Sequence, residues 1–144
     1  MISTALRLDH DIKSCKPYRL NFTLQGLPET TNAARHSNGH WSERHKKDKS
    51  WKRQVWVEAL QKGRPRQPLH KASVTLIRYS ASEPDFEGLV SSFKTILDGL
   101  TEAGVIANDS MSVIGQPAYY WRKAKPKQGK IEVFVEDIQE NHEA

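Results

Sequence analysis

Two hydrophobic periods alternate along the chain, and each switch between them marks an element. Tyr18–Leu24 sets Leu20, Phe22 and Leu24 against Arg19, Asn21 and Thr23, the two-residue period of a half-buried strand. From Gln25 to Trp41 the chain is rich in Gly, Asn, Thr, Ser and His and reads as a long loop. Ser42 is placed to cap a helix that runs to Lys62 and is stopped by Gly63 and Pro65, although Asp48 or Ser50 serves equally as its start. Trp51, Val55 and Ala59, with Trp56 and Leu60 beside them, form its expected buried stripe. Ala72–Tyr79 alternates again, with Val74, Leu76 and Arg78 opposed to Thr75, Ile77 and Tyr79, and reads as a second strand.

After a turn through Ser80–Asp85, the pattern predicts a helix over Gly88–Ala103. Leu89, Phe93, Ile96, Leu97 and Leu100 share one of its faces, and Ser91, Ser92, Thr95, Asp98 and Glu102 the other. Gly104 stands where a left-handed helix cap belongs. Two more strands are expected, Val113–Arg122, interrupted at Pro117, and Lys130–Ile138. The order β-α-β-α-β-β predicts one α+β domain over residues 18–138, a small mixed sheet carrying two main helices. Residues 1–17 are expected to be a flexible extension, and 139–144 a disordered acidic tail.

Composition narrows the class. The chain has 144 residues, 37% of them hydrophobic, enough for one modest core. No apolar run approaches the length of a membrane span, and Met1–Ser14 lacks the continuous apolar segment of a secretory signal. The single cysteine, Cys15, excludes an internal disulfide and a Cys-rich zinc site, so a reducing, cytoplasmic setting is expected. The net charge of +5 is unevenly spread. Eleven of the 22 Lys and Arg fall between Arg35 and Lys71, against only three acids. A second run, Arg122, Lys123, Lys125, Lys127 and Lys130, contains no acid, while residues 132–144 carry five acids and no Lys or Arg. Two basic stretches flanking a small acidic group point to a polyanion partner, against the plainer reading of solubility.

That acidic group carries the candidate chemistry. Asp85 and Glu87 lie two residues apart between a strand and a helix; in an extended segment both side chains point the same way. Two carboxylates on one side repel, and a divalent cation such as Mg²⁺ or Mn²⁺ relieves the repulsion through oxygen ligands. Asp109, in the loop after Gly104, is placed to return to the same end of the sheet as a third carboxylate. The alternative is that these are solvated loop acids. Lys94, on the border of the buried helix face, is placed to set an ammonium against a phosphate oxygen or leaving group. Its alternative is a helix pair with Asp98, four residues on.

The run PDFEGLVSSFKTILDGLTEAGVIANDSMSVIG, read as a whole, resembles the core of RusA-type Holliday junction resolvases. That family shows an Asp-x-Asp-Asn-Leu segment, a lysine, an Asp-x-Leu, an Ala-Gly and a paired Asp-Asp before a strand. Asp85, Glu87 and Leu89 stand in the first segment, Lys94 at the lysine, Asp98-Gly99-Leu100 and Ala103-Gly104 follow, and Asn108-Asp109 stand at the acid pair. Glu87, Gly88 and Asn108 depart from the family's residues, and the stretch between Glu87 and Lys94 is about three residues longer. The resemblance spans Tyr18 to Ile138, with its specific motifs in residues 84–115.

The resemblance implies a homodimeric, Mg²⁺-dependent endonuclease (Mn²⁺ as substitute) that cuts four-way DNA junctions in a bacterial host or phage-infected cell. It implies Asp85, Glu87 and Asp109 as metal ligands, and Lys94 as the group that stabilises charge in the transition state. Arg35, Arg44, Lys46, Lys47, Lys52 and Arg53, with Lys123, Lys125 and Lys127, would grip the phosphate backbone. Trp41 or Trp56 is available to stack at an opened junction, whereas the spacing of Trp51 favours the core. His36, His40 and His45 lack the acid or Cys pattern of a zinc site and fit phosphate contact or loop polarity instead. Neither a glycine-rich phosphate loop nor a Ser-His-Asp set can be assembled, so no nucleotide or organic cofactor is expected. The competing expectations are a non-catalytic DNA- or RNA-binding module on the same fold, and a nuclease acting on flaps or forks.

Overall fold

The computed structural model describes residues 17–28 and 41–138. Strand β1 (Arg19–Gln25) leads to helix α1 (Trp41–Lys62), strand β2 (Ala72–Ser80), helices α2 (Phe86–Ser92), α3 (Lys94–Glu102) and α4 (Met111–Ile114), and strands β3 (Ala118–Lys123) and β4 (Lys130–Asp137). The sheet order is β1-β4-β2-β3. β4 runs antiparallel to both β1 and β2, while β2 and β3 are parallel, joined by the crossover through α2, α3 and α4. The result is a single-domain α+β fold on a mixed sheet. Among the described residues no helix is long and apolar enough to cross a membrane. The expected N-terminal extension, up to residue 16, and the acidic tail of 139–144 lie outside the described residues.

One face of the sheet builds the core. Leu20, Phe22 and Leu24 of β1, Val74 and Leu76 of β2, and Ile131, Val133 and Val135 of β4 are buried together with Val55, Phe93, Ile96 and Leu100 from the helices. Apolar burial on this scale is the main favourable term in folding a domain this size. Strand alternation is a faithful guide here because each strand has one buried and one open face. The helical stripe of α1 is a poorer one. Only Val55 and Ala59 are fully buried and Trp51 packs partly against the core, while Trp56 and Leu60 stay 46% and 41% exposed. They lie about 100° round the helix from the row that meets α3, beyond the reach of that narrow contact.

Two further expectations are corrected. The helix expected over Gly88–Ala103 is two helices broken at Phe93, and the first begins earlier, at Phe86. The serines explain the break: Ser91 Oγ donates to the Gly88 carbonyl at 3.0 Å and Ser92 Oγ to the Leu89 carbonyl at 2.8 Å. Such back-bonding loosens a helix. Phe93 N then closes a tight turn on the Val90 carbonyl. The strand expected over Val113–Arg122 starts only at Ala118. Val113 and Ile114 belong to the short α4, which buries both in adjacent positions as a strand could not. Gly104 does take the left-handed conformation, φ +80°.

Helices α1 and α3 cross at Gly99. A Cβ there would stand 3.0 Å from Val55 Cβ and 3.3 Å from the Lys52 Cα. Gly99→Ala gains helix propensity of about 1 kcal/mol but forces the two helices apart. We expect a net loss of about 1–2 kcal/mol in urea unfolding, largely restored by adding Val55→Ala; an alanine that stabilises on its own contradicts the close crossing.

Candidate functional site

The carboxyl end of β2 and the segments around it gather most of the residues of interest. β2 ends at Ser80, and Pro84 leads into α2. Asp85 is the helix cap: its backbone is extended, and its Oδ1 accepts from Gly88 N at 2.9 Å. Glu87 falls inside the first turn, exposed to solvent, where the helix dipole favours an acid. The two acids therefore do not project side by side from an extended segment, because the helix starts one residue after Asp85.

The Phe93 break orients the start of α3. The Phe93 ring is fully buried and stacks on Tyr119 with centroids 5.6 Å apart and planes 8° from parallel. Lys94 then opens α3 on the solvent side. Beyond α3, Gly104 reverses the chain, and hydrogen bonds from Leu69 N to the Val105 carbonyl and from Ala107 N to the Leu69 carbonyl, both 2.9 Å, anchor the return. Asn108 Oδ1 accepts from Ser110 N, shaping the loop that presents Asp109. The Lys94 ammonium bridges Asp98 Oδ1 at 3.1 Å and Asp109 Oδ2 at 2.9 Å. These hydrogen bonds, Asp109 first, hold Lys94 above the ordinary lysine range, and Lys94 holds Asp109 below the usual carboxylate range. Burial, and then the charge of Asp109, push the Tyr119 phenol up.

Lys94 and Asp98 also line a cleft of about 510 Å³ shared with Pro28, Lys47, Asp48 and Trp51. Arg78, only 8% exposed, donates from Nη1 to the Pro28 carbonyl at 2.9 Å, while its Nε has no partner among the described residues. Burial alone lowers its pKa, and no carboxylate answers it among the described residues. Leu27 also lines this cleft, and a Cβ on Gly129 would sit 2.6 Å from Leu27 atoms. The loop from Ala124 to Gly129, which crosses the end of β2 through Ala124 N to the Ser80 carbonyl at 3.0 Å, is therefore contiguous with the cleft.

The structure brings Lys94, Asp98 and Asp109 together; it does not add Asp85 and Glu87 to them. Among the described residues no three His, Cys, Asp or Glu side chains form a group that could hold a metal ion. Lys46 and Arg53 are exposed on α1 and Lys47 reaches the cleft, but Lys52 is paired with Glu102 at 3.4 Å and helps tie α1 to α3. Lys123, Lys125 and Lys127 are exposed around a second hollow with Lys130, whose ammonium stands 4.8 Å from the centroid of the Tyr79 ring. Arg35, His36 and His40 lie outside the described residues, as do the side chains of Trp41, Arg44 and His45. Sequence reasoning missed Phe86, 72% exposed between the two acids; a phenylalanine at the first position of a helix was the available signal.

The pair Lys94–Asp109 sets an acid limit. Asp109 titrates lower in the folded protein than unfolded, so its contribution is present above its unfolded pKa and fades as pH falls through the folded value. Both partners are substantially exposed, so the effect is small and screened by salt. Asp109→Asn is expected to flatten the stability profile between about pH 5 and pH 2 and to lower the Lys94 pKa, read by NMR of the lysine side chain. An unmoved Lys94 titration contradicts the pair. Compared with known proteins, the chain matches no protein-family model and no curated protein, so the family resemblance rests on its own residues 84–115.

Proposed function

We propose that the protein is a structure-selective DNA endonuclease of the RusA-like kind, acting on four-way junctions by phosphodiester hydrolysis. The observation that carries this reading is the Asp98–Lys94–Asp109 cluster at the rim of a cleft, between the basic surface of α1 and the lysine loop at the end of β2. Its members follow the order of the resolvase motif. In this reading the phosphate backbone runs from Lys46, Lys47 and Arg53 across the cleft to Lys123, Lys125 and Lys127. Lys94 sets its ammonium against the anionic phosphate, and Asp98 and Asp109 keep it charged and aimed. Phe86 offers an exposed ring to an unstacked base beside Asp85. A four-way junction has two strands to cut, and a second copy of the chain supplies the second site.

Mg²⁺ is the cofactor this reading calls for, with Mn²⁺ as substitute. Asp85, Glu87 and Asp109 as they stand do not form the group that would hold it. That separation favours a second reading, a module on the same fold that binds branched DNA or RNA without cutting it.

One experiment separates the two. Labelled four-way junctions, flaps, forks and linear duplexes are incubated with the protein and Mg²⁺ or Mn²⁺. The endonuclease reading expects paired symmetric nicks in the junction, lost with Asp85→Asn and reduced about 100-fold or more by Lys94→Ala. Salt-sensitive binding with no cleavage of any substrate establishes the second reading instead. Undiminished cutting by Asp85→Asn and Lys94→Ala removes the site assignment.

A further inference from the structure

The loop that joins β3 to β4 holds a lysine in a conformation that folding alone does not favour. Lys125–Pro126–Lys127–Gln128 is a type II turn: Gln128 N closes on the Lys125 carbonyl at 3.0 Å, Pro126 fixes the first corner, and Lys127 takes the second with φ +66°. That corner prefers glycine or asparagine, and among the described residues no other non-glycine residue has a positive φ. The loop is nevertheless pinned at both ends, by Ala124 N on the Ser80 carbonyl at 3.0 Å and by Gly26 N on the Gly129 carbonyl at 2.9 Å. A strained side chain on a pinned loop points to a role outside folding.

Lys127 lines a hollow of about 930 Å³ together with Lys123, Lys125, Lys130 and Tyr79, and no acid is among the residues around it. Lys52 and Lys94 are both paired with carboxylates, whereas Lys123, Lys125 and Lys127 have no ion-pair partner among the described residues. The Lys130 ammonium stands 4.8 Å from the centroid of the Tyr79 ring, and Glu132 is engaged by the Tyr79 hydroxyl, which donates to it. Four ammonium groups around one concavity repel each other, and a concentrated negative charge relieves the repulsion. A terminal phosphate supplies it, with about −1.5 to −2 charges at neutral pH and three acceptor oxygens. A phosphodiester within a strand brings only a single charge.

An aromatic surface lies beside the hollow. Arg122 is the register partner of Tyr79, and Tyr120 follows on the same face of β3 two residues away, about 7 Å. That is the reach of one sugar between its phosphate and its base. Tyr120 is 46% exposed, with the Arg122 guanidinium 5.5 Å from its ring centroid. Exposed rings flanked by arginine are the surfaces on which unpaired bases stack.

We propose that the hollow binds the terminal phosphate of a nucleic-acid strand, with the base of the end nucleotide stacked on Tyr120. Tyr120 favours a strand end over a phospholipid headgroup, which has no base to stack. The inference rests on the nucleic-acid part of the reading above and needs no cleavage.

Fluorescence anisotropy of the full chain tests it, with short single-stranded oligonucleotides labelled at one end and bearing phosphate or hydroxyl at the other. Phosphates at the 5′ and 3′ ends are separate arms. At least one phosphorylated end should bind about tenfold tighter or more than its hydroxyl counterpart. Lys123→Ala and Lys125→Ala should each reduce that preference. Lys127→Gly should remove most of it while raising the urea midpoint of unfolding, a combination that a merely structural lysine does not give. Tyr120→Ala should weaken binding of the phosphorylated oligonucleotide several-fold and leave calorimetric binding of pyrophosphate unchanged. Equal affinity for phosphate and hydroxyl ends overturns the proposal, as does a preference that survives Lys125→Ala combined with Lys127→Gly. Tighter binding to phosphoinositide vesicles than to the phosphorylated oligonucleotide also overturns it. Junction cutting without an end preference removes this inference alone, and an end preference without cutting removes only the nuclease reading.

Discussion

The burial of Phe93 is the constraint from which the arrangement of the site follows. The ring is fully enclosed and stacked on Tyr119, so the backbone at Phe93 is pinned between the helices and the edge strand β3. A continuous helix would have to satisfy two packing partners with one face. The break gives each partner its own helix, α2 lying against β3 and α3 against α1. The residue after the break begins a new helix pointing out of the core, and that residue is Lys94. Its position opposite Asp109 is thus a product of apolar packing, with the ion pair added on top.

Two cations near the cleft are treated in opposite ways. Lys94 is exposed and held by two carboxylates, a cheap arrangement that water and salt can modulate. Arg78 is buried with one backbone carbonyl for a partner and no carboxylate among the described residues. Guanidinium stays charged where an ammonium would shed its proton. The wall of the cleft at Pro28 therefore contains a fixed positive charge, and an anion entering there meets a field that no surface titration removes.

Most of the fold was legible because its strands are open on one side, so that Leu20–Phe22–Leu24 and Ile131–Val133–Val135 betray themselves by alternation. The α2–α3 break was not, since Leu89, Phe93, Ile96 and Leu100 fit a single helical stripe whether or not the helix bends. The only local clue was the Ser91–Ser92 pair. Val113–Ile114 misleads because two adjacent apolar residues before a strand have no period of their own. At the site, the Lys94–Asp98 spacing announced one contact, and the left-handed Gly104 announced the return of the chain. The commitment of Asp85 to a helix cap was hidden, since Asp-x-Glu before a helix reads equally well as a ligand pair or as a cap with an acidic first turn.

The strand order has a consequence for synthesis. β4, the last of the four described strands, is the one neighbour that β1 and β2 share, and Arg19 of β1 finds its register against Glu136. Until β4 has left the ribosome β1 has no strand partner among the described residues, and only α1 is available to pack on its Leu20, Phe22 and Leu24 face. Contacts this distant along the chain close slowly, because the loop entropy is lost before the pairing is gained. Closure of the sheet consequently waits for β4, whatever the helices have already packed.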